Sequence, residues 1–307
     1  METKRRQGFR WALQRRGSVV PAVFSRVLLC GLFGFFISSI NNLPTNWKVS
    51  VAIPLWGGVI PTIVIALLLV FRTKTAYERF LEGRQSWGNL INTAQNQVRQ
   101  IWVAVQEIEP LDRAEKLTTI RLVVAFAVAT KLHLRRESVN NELDELLSSD
   151  RYLDIKNVAN PPLQISFWIG KYLQKQYDRK RLNSSQLTAL HQLLDRMVDC
   201  LGACERVIKN PVPLAQAIYL KELVLIYCLS LPFQMVTAFM WLTGPVVALI
   251  SFALLGLEEI SSEIENPFGY DDNDLPLDLS CELFLQDVED LISQEISAAN
   301  GKLTSVY

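Results

Sequence analysis

The sequence predicts an all-α protein that crosses a membrane four times and carries a large helical domain in water. Three observations predict it. Half of the 307 residues are hydrophobic, and they crowd into three stretches, about 19–40, 50–71 and 212–256. The intervening 72–211 and the closing 257–307 are charged and amphipathic, which is the profile of an integral membrane protein with a substantial water-facing part. No alternation of apolar and polar residues competes with the helical periodicity.

Residues 1–17 carry Lys4, Arg5, Arg6, Arg10, Arg15 and Arg16, and the apolar run that follows continues from Val19 to Ile40 without a small-residue cleavage pattern. That run is a first span and not a cleavable signal, and its basic flank is expected in the cytoplasm. Residues 41–48 form a polar turn, with Pro44 as breaker and Trp47 suited to an interface. The second span, about 50–71, contains Pro54, Gly57, Gly58 and Pro61. Such breakers are tolerated where neighbouring helices or water satisfy the freed backbone groups, so this span is expected inside a bundle. The loop between the spans carries only Lys48, so the chain returns to the cytoplasm.

The apolar run stops at Arg72, but the helical pattern continues through Tyr77, Phe80, Trp87 and Leu90, mixed with Lys74, Arg79 and Arg84. A helix that is apolar for one membrane thickness and then amphipathic and basic leaves the bilayer without ending. It is expected to run to about Gln106, and a second helix to cover 111–136. The centre of that second helix, from Leu122 to Ala129, is too short to cross roughly 30 Å and is flanked by Arg121 and the basic stretch 131–136. It reads as a buried helix of the water-facing domain.

Residues 137–160 are acidic and are expected to be loop, ending at Asn160-Pro161-Pro162. Helices follow at about 163–180 and 184–208. Asn210-Pro-Val-Pro213 turns the chain back to the membrane, where 212–232 is interrupted by Lys221-Glu222 and 233–256 only by Gly244-Pro245. The Lys221-Glu222 pair could serve a pore or relay, face the bundle, or mark the interface. The resulting division is 1–71, 72–211, 212–256 and 257–307, with both termini cytoplasmic.

No enzyme constellation is present. Only two histidines exist, His133 and His191, and there is neither a phosphate-cradling glycine loop nor a nucleophile elbow. Cys30, Cys200, Cys204, Cys228 and Cys281 lack zinc spacing and read as buried free thiols. Glu258-Glu259 reads as part of a solvated helical face. Basic residues follow membrane topology and not a nucleic-acid stripe, so no nucleic-acid partner is expected.

After the last span, Pro267 and Gly269 make a turn, and Asp271, Asp272 and Asp274 crowd carboxylates into one loop before a helix expected at 280–296. Two explanations stay open: a hard cation such as calcium, or capping of the following helix.

Asn266-Pro-Phe-Gly-x-Asp-Asp-x-Asp274 after a final span resembles the signature of the bestrophin family of ion channels. Phe71-Arg-Thr-x-Thr-Ala-Tyr-Glu-Arg79 with Trp87-Gly88 is similar to the prokaryotic and plastid members. Arg16-Gly-Ser18 and Asn210-Pro-Val-Pro213 also fit, so the resemblance runs from about residue 11 to 290. It implies a homopentamer with one axial pore, four spans per subunit and a helical cytoplasmic domain. The membrane expected is a cell inner membrane or a thylakoid-type membrane, with lipid around the spans.

The resemblance further implies passage of chloride and similar small monovalent anions. A monovalent cation channel of the same fold, or a non-conducting scaffold or regulatory subunit, is the alternative. The family's neck is lined by apolar residues of the second span, which implies Ile60, Val64 and Leu68 here. Five-fold apolar rings can gate by dewetting. A lower constriction falls near Ser185, where an apolar residue is common elsewhere, and a basic vestibule is expected from Arg72, Lys74 and Arg79. The calcium clasp of animal relatives maps onto Asp271, Asp274 and the Asn266 carbonyl. Glu263 stands where a glutamine is usual, and the amino-terminal ligand falls at about Met1.

Overall fold

The computed structural model of the chain describes residues 17–42 and 59–304, and the side chains of all of these but 59, 60, 214 and 295–304. The basic residues before Gly17, Met1 included, and Pro44, Trp47, Pro54, Gly57 and Gly58 lie outside the described residues. Among the described residues the regular structure is helical: α1 Val20–Asn41, α2 Val59–Ala104, α3 Pro110–Arg135, α4 Asn141–Leu146, α5 Ser149–Ile155, α6 Pro161–Asp178, α7 Ser184–Lys209, α8 Leu214–Phe239, α9 Thr243–Glu263 and α10 Leu277–Thr304. The chain divides into two compact units, one of 1–81 with 211–274 and one of 82–210 with 275–307. Helix α2 passes from the first to the second without a break, as the periodicity across Arg72 predicts.

The first unit holds α1, the start of α2, α8 and α9. At 1.5 Å per residue, the 22 residues of α1 and the 21 of α9 each extend about 32 Å, enough for the hydrocarbon core. Their apolar side chains meet in a core of Val23, Cys30, Ile65, Leu69, Val224, Cys228, Leu231 and Val247. Helices α1 and α9 approach closely because glycine lines the contact. A Cβ on Gly34 would stand 3.1 Å from the Gly244 Cα, and one on Gly244 would stand 2.3 Å from Phe35 Cδ2. Small residues at such a crossing let two backbones touch where lipid offers no competing hydrophobic drive.

A single 3-10 turn, Met240–Leu242, joins α8 to α9. Met240 takes a left-handed backbone, φ 46, which is strained for a residue with a side chain. Its carbonyl accepts hydroxyl hydrogen bonds from Ser38 at 2.7 Å and Thr243 at 2.6 Å, which hold the turn and tie it to the end of α1. Residues 215–263 thus contribute two spans separated by one tight turn at Met240–Leu242, later in the chain than the break after 232 expected from the sequence; Pro232 lies inside α8, and Gly244-Pro245 in the first turn of α9.

The second unit is organised around α3. Every side chain from Leu122 to Ala129 is buried, and so are Thr130 and Lys131. By length and composition α3 could cross a membrane, but 78% of its apolar stretch is buried within the protein, and the face left open at Leu111, Ala114, Thr118 and Arg121 is mixed and not apolar. Glu109 and Asp112 form a capping box at its start, which satisfies amide donors that a helix end leaves open. Asn183 and Gln186 form another at the start of α7. Residues 137–160, expected as loop, contain α4 and α5; Asn140 caps α4 by accepting from the Glu142 amide at 3.2 Å. The buried Leu143 and Ile155 explain why these short helices form: each turns an apolar side chain into the core. Helix α10 starts earlier than expected, at Leu277, and buries Leu277, Cys281, Phe284 and Val288 in the same unit.

Candidate functional site

The candidate site is the membrane-side part of α2, and its two faces differ sharply. Ile65 and Leu69 are 4% and 0% exposed and pack into the first unit's core. Arg72 and Ala76 continue that buried stripe at helical spacing. Val64 at 47% and Leu68 at 38% are exposed, and so are Ile63, Leu67, Val70 and Phe71. The side chain of Ile60 lies outside the described residues. At about 100° per residue, Ile63 and Leu67 stand nearly opposite the buried stripe, while Val64 and Leu68 lie on the flank of the outward face. A broad apolar face on a helix inside a polar-capped bundle is available to lipid, to a neighbouring subunit or to a pore.

Two hydroxyl pairs fix how α2 sits in the first unit. Thr62 Oγ1 and Tyr227 Oη are 2.7 Å apart, joining α2 to α8, and Thr73 Oγ1 and Ser261 Oγ are 2.7 Å apart, joining α2 to α9. Between these anchors lies Arg72. Its guanidinium donates to the Ala217 carbonyl at 3.2 Å and stands 3.8 Å from Glu258 Oε1. Arg72, expected in a basic vestibule, is instead buried, with its charge matched inside the bundle. Lys74 is exposed and stands 3.8 Å from Glu78 one turn on, and Arg79 is half-buried.

The Glu258-Glu259 pair also departs from expectation, since a solvated face does not describe it. Glu258 is fully buried, and Glu259 pairs with Arg26 at 3.2 Å. Lys221, one of the three-way alternatives of the sequence reading, points at Glu258 with 3.5 Å between the charged atoms. Its charge reaches Glu258 while its side chain stays close to half exposed. Spacing gave no hint of this, because Arg26, Arg72, Lys221 and Glu258 are far apart in sequence.

In the acidic loop, Asp274 Oδ2 accepts from the Asp271 amide at 2.8 Å, and the Asp274 amide donates to the Asp271 carbonyl at 2.9 Å. A Cβ on Gly269 would stand 2.6 Å from Asp274 Oδ2 and 3.2 Å from the Asn266 side-chain nitrogen, so any larger residue would push the Asp274 carboxylate off the Asp271 amide. Asp272 accepts from the Gly17 amide at 3.1 Å, and the Asn273 amide group donates to the Gly17 carbonyl at 3.2 Å and to Glu263 at 3.0 Å. The carboxylates of Asp272 and Asp274 therefore answer backbone donors. Among the described residues no three acidic, histidine or cysteine side chains converge as a metal site. A clasp of Glu263, Asn266, Asp271 and Asp274 would draw on main-chain oxygens as well as carboxylates, and in this structure the loop fastens the segment entering α1 through hydrogen bonds to Gly17.

Ser185 is exposed in the first turn of α7, in the second unit. The thiols of Cys204 and Cys281 are buried in that unit, and burial pushes both up to about 12. All five cysteines are free.

The fold and these features define an all-α integral membrane protein in which one long helix, α2, belongs to both the membrane-side unit and the helical second unit. The sequence pattern described as Bacterial/Fungal Bestrophin protein matches residues 1–290, and the chain belongs to the bestrophin family. A voltage-dependent anion channel-forming protein of Nostoc sp. is 52% identical over 293 residues, covering 95% of this chain and 94% of that one. One of the same description from Synechocystis sp. is 49% identical over 280 residues, covering 91% and 90%. Among solved structures, a variant of a bacterial Bestrophin homolog from Klebsiella pneumoniae superposes with a TM-score of 0.80 at 26% identity, covering 87% of this chain and 98% of that one. Both relatives are described as forming anion channels.

Proposed function

We propose that the chain assembles as a homopentamer around one axial pore and conducts chloride and similar small monovalent anions. The observation that carries this reading is the nearly full-length likeness to the Nostoc and Synechocystis relatives named as anion channel-forming proteins. The outward apolar face of α2 supports it physically. Five copies of such a face around an axis make a neck that water leaves easily, so an ion must shed hydration without polar replacement. In this reading Ile60, Val64 and Leu68 form the neck. Lys74 and Arg79 supply the vestibule's positive charge, and Arg72 serves the bundle.

Ser185 lines the lower constriction. It sits in the first turn of α7, where the helix dipole is positive and favours an anion over a cation. A serine ring there is wetter than an apolar one, so gating is assigned to the neck.

Purified protein in planar bilayers under a potassium chloride gradient tests the proposal. Reversal near the chloride equilibrium potential is expected. Reversal near that of potassium would replace it with the cation-channel reading, and silence at all voltages with the scaffold reading. Native mass spectrometry in mild detergent is expected to give five subunits.

A further inference from the structure

One residue of α9 is used neither by the apolar core nor by the proposed pore. Glu258 is 0% exposed, and its carboxylate is surrounded by cations from the three other helices of its unit. Arg26 of α1 stands at 4.0 Å, Arg72 of α2 at 3.8 Å and Lys221 of α8 at 3.5 Å. Neither carboxylate oxygen accepts a hydrogen bond from the described residues. What holds the group is therefore charge acting over 3.5–4.0 Å and not a directed bond, and that attraction is far stronger in a buried setting than in water. Removing one member of such a cluster leaves an uncompensated buried charge.

The cations are not equivalent. Arg26 also pairs with Glu259 at 3.2 Å, and Arg26 and Lys221 are close to half exposed. Arg72 is buried, and the Ala217 carbonyl of α8 holds it from the other side. It sits on the same stripe of α2 as Ile65 and Leu69. Whatever fixes Arg72 therefore fixes the rotation of α2 about its own axis, and with it the side chains that face outward.

We infer that Glu258 is a positioning residue for the pore helix: its buried negative charge anchors Arg72 and so sets which apolar stripe of α2 lines the neck. This rests on the reading of α2 as the pore helix. A turn of α2 by one residue would move the outward face by about 100°, exchanging exposed for buried apolar groups. The apolar packing alone resists this weakly, because both faces of α2 are apolar; the buried Glu258–Arg72 pair adds charge to the Thr62–Tyr227 and Thr73–Ser261 hydroxyl pairs that hold the register.

The test uses the full-length protein. Glu258→Gln keeps the shape and removes the charge, and Glu258→Asp keeps the charge. Glu258→Gln combined with Arg72→Gln removes both partners. Val224→Ala, a buried truncation of α8 outside the cluster, serves as a control for lost stability. The Gln variant is expected to melt several degrees lower and to change open probability several-fold. The Asp variant should stay near the wild type, and the double variant should recover a large part of both losses. Val224→Ala should lower melting without moving open probability. Wild-type melting and gating in Glu258→Gln, or purely additive losses in the double variant, would overturn the inference.

If Glu258→Gln does not assemble, recovery of assembled protein in the double variant supports the anchor, and continued failure sinks it. Coupling in the melting data together with silence in every bilayer would keep the anchor and reject the channel reading.

Discussion

Truncating Val64 and Leu68 to alanine separates the possible environments of the outward face of α2. Both side chains are substantially exposed within the subunit, whereas their neighbours Ile65 and Leu69 are buried. Truncation of the outward pair should change the subunit's own stability by no more than about 0.5 kcal/mol, as for other exposed positions. Alanine at Ile65 or Leu69 should cost about 2–5 kcal/mol each through lost packing and a cavity. Each shortened leucine withdraws about 2–3 Å of reach, by two carbon–carbon bonds. Repeated around a five-fold axis, this widens a neck enough for water to persist. The barrier to an ion then falls without any added charge, so open probability should rise while reversal potential stays put.

The assay is single-channel recording of the Val64→Ala/Leu68→Ala protein beside an Ile63→Ala/Leu67→Ala protein. If Val64 and Leu68 line the neck, the first opens more and the second gates as the wild type. The reverse outcome would show that the stripe is turned by about 100° and that Ile63 and Leu67 face the axis. Unchanged gating in both, with intact pentamers, would refute the idea that this part of α2 lines the pore.

Other expectations follow from the same geometry. Lys131 is 2% exposed and donates to Glu142 at 2.6 Å and Asp278 at 2.9 Å; because Asp278 is itself exposed and Glu142 still pairs with Lys131, Asp278→Asn should destabilise the second unit by at most about 1 kcal/mol, read by urea melting. Burial raises the Asp278 carboxyl, but hydrogen bonds from Lys131 and Arg135 outweigh it and hold the group below its usual range. Its contribution is therefore complete above the unfolded value of about 3.9 and is lost as pH falls through the lower folded value. The wild type should lose more stability across that acid range than the Asn variant.

The buried thiols of Cys204 and Cys281, raised to about 12 by burial, should resist alkylation at pH near 8 in the native protein and react only after unfolding, as mass mapping would reveal. Because the acidic loop satisfies its carboxylates with backbone donors, melting temperature and currents should match in chelator and in millimolar calcium. A calcium-dependent rise in melting would favour the cation clasp. Gly34→Val would press side-chain atoms onto the Gly244 backbone, 3.1 Å from the new Cβ, and should block assembly where Gly88→Ala, with open space around it, does not.

The parts of this protein that sequence made legible are those in which one physical signal acts along a short stretch. Apolar length marked α1, α8 and α9, and helical periodicity across Arg72 carried α2 through its change of solvent. The motif around Asn266 located the loop that closes on Gly17. Carboxylate spacing looks the same whether the partner is a cation or a backbone amide, and only the fold shows that the Asp271 and Gly17 amides are the partners.

The charges were the least legible. Glu258 beside Glu259, and Lys221 beside Glu222, look like ordinary interfacial residues because a local reading pairs each with its neighbour. In the structure Glu258 draws its partners from three helices that begin at Val20, Val59 and Leu214. Long-range pairing of this kind leaves no periodic trace. It can be suspected only where several charges fall in or beside apolar spans, since a charge there must find a partner or a cavity. Arg26, Arg72, Lys221 and Glu258 all meet that condition. These four charged residues come one from each helix of the bundle and meet at Glu258. For that reason the variants that test Glu258 also test whether charge or apolar packing sets the register of α2.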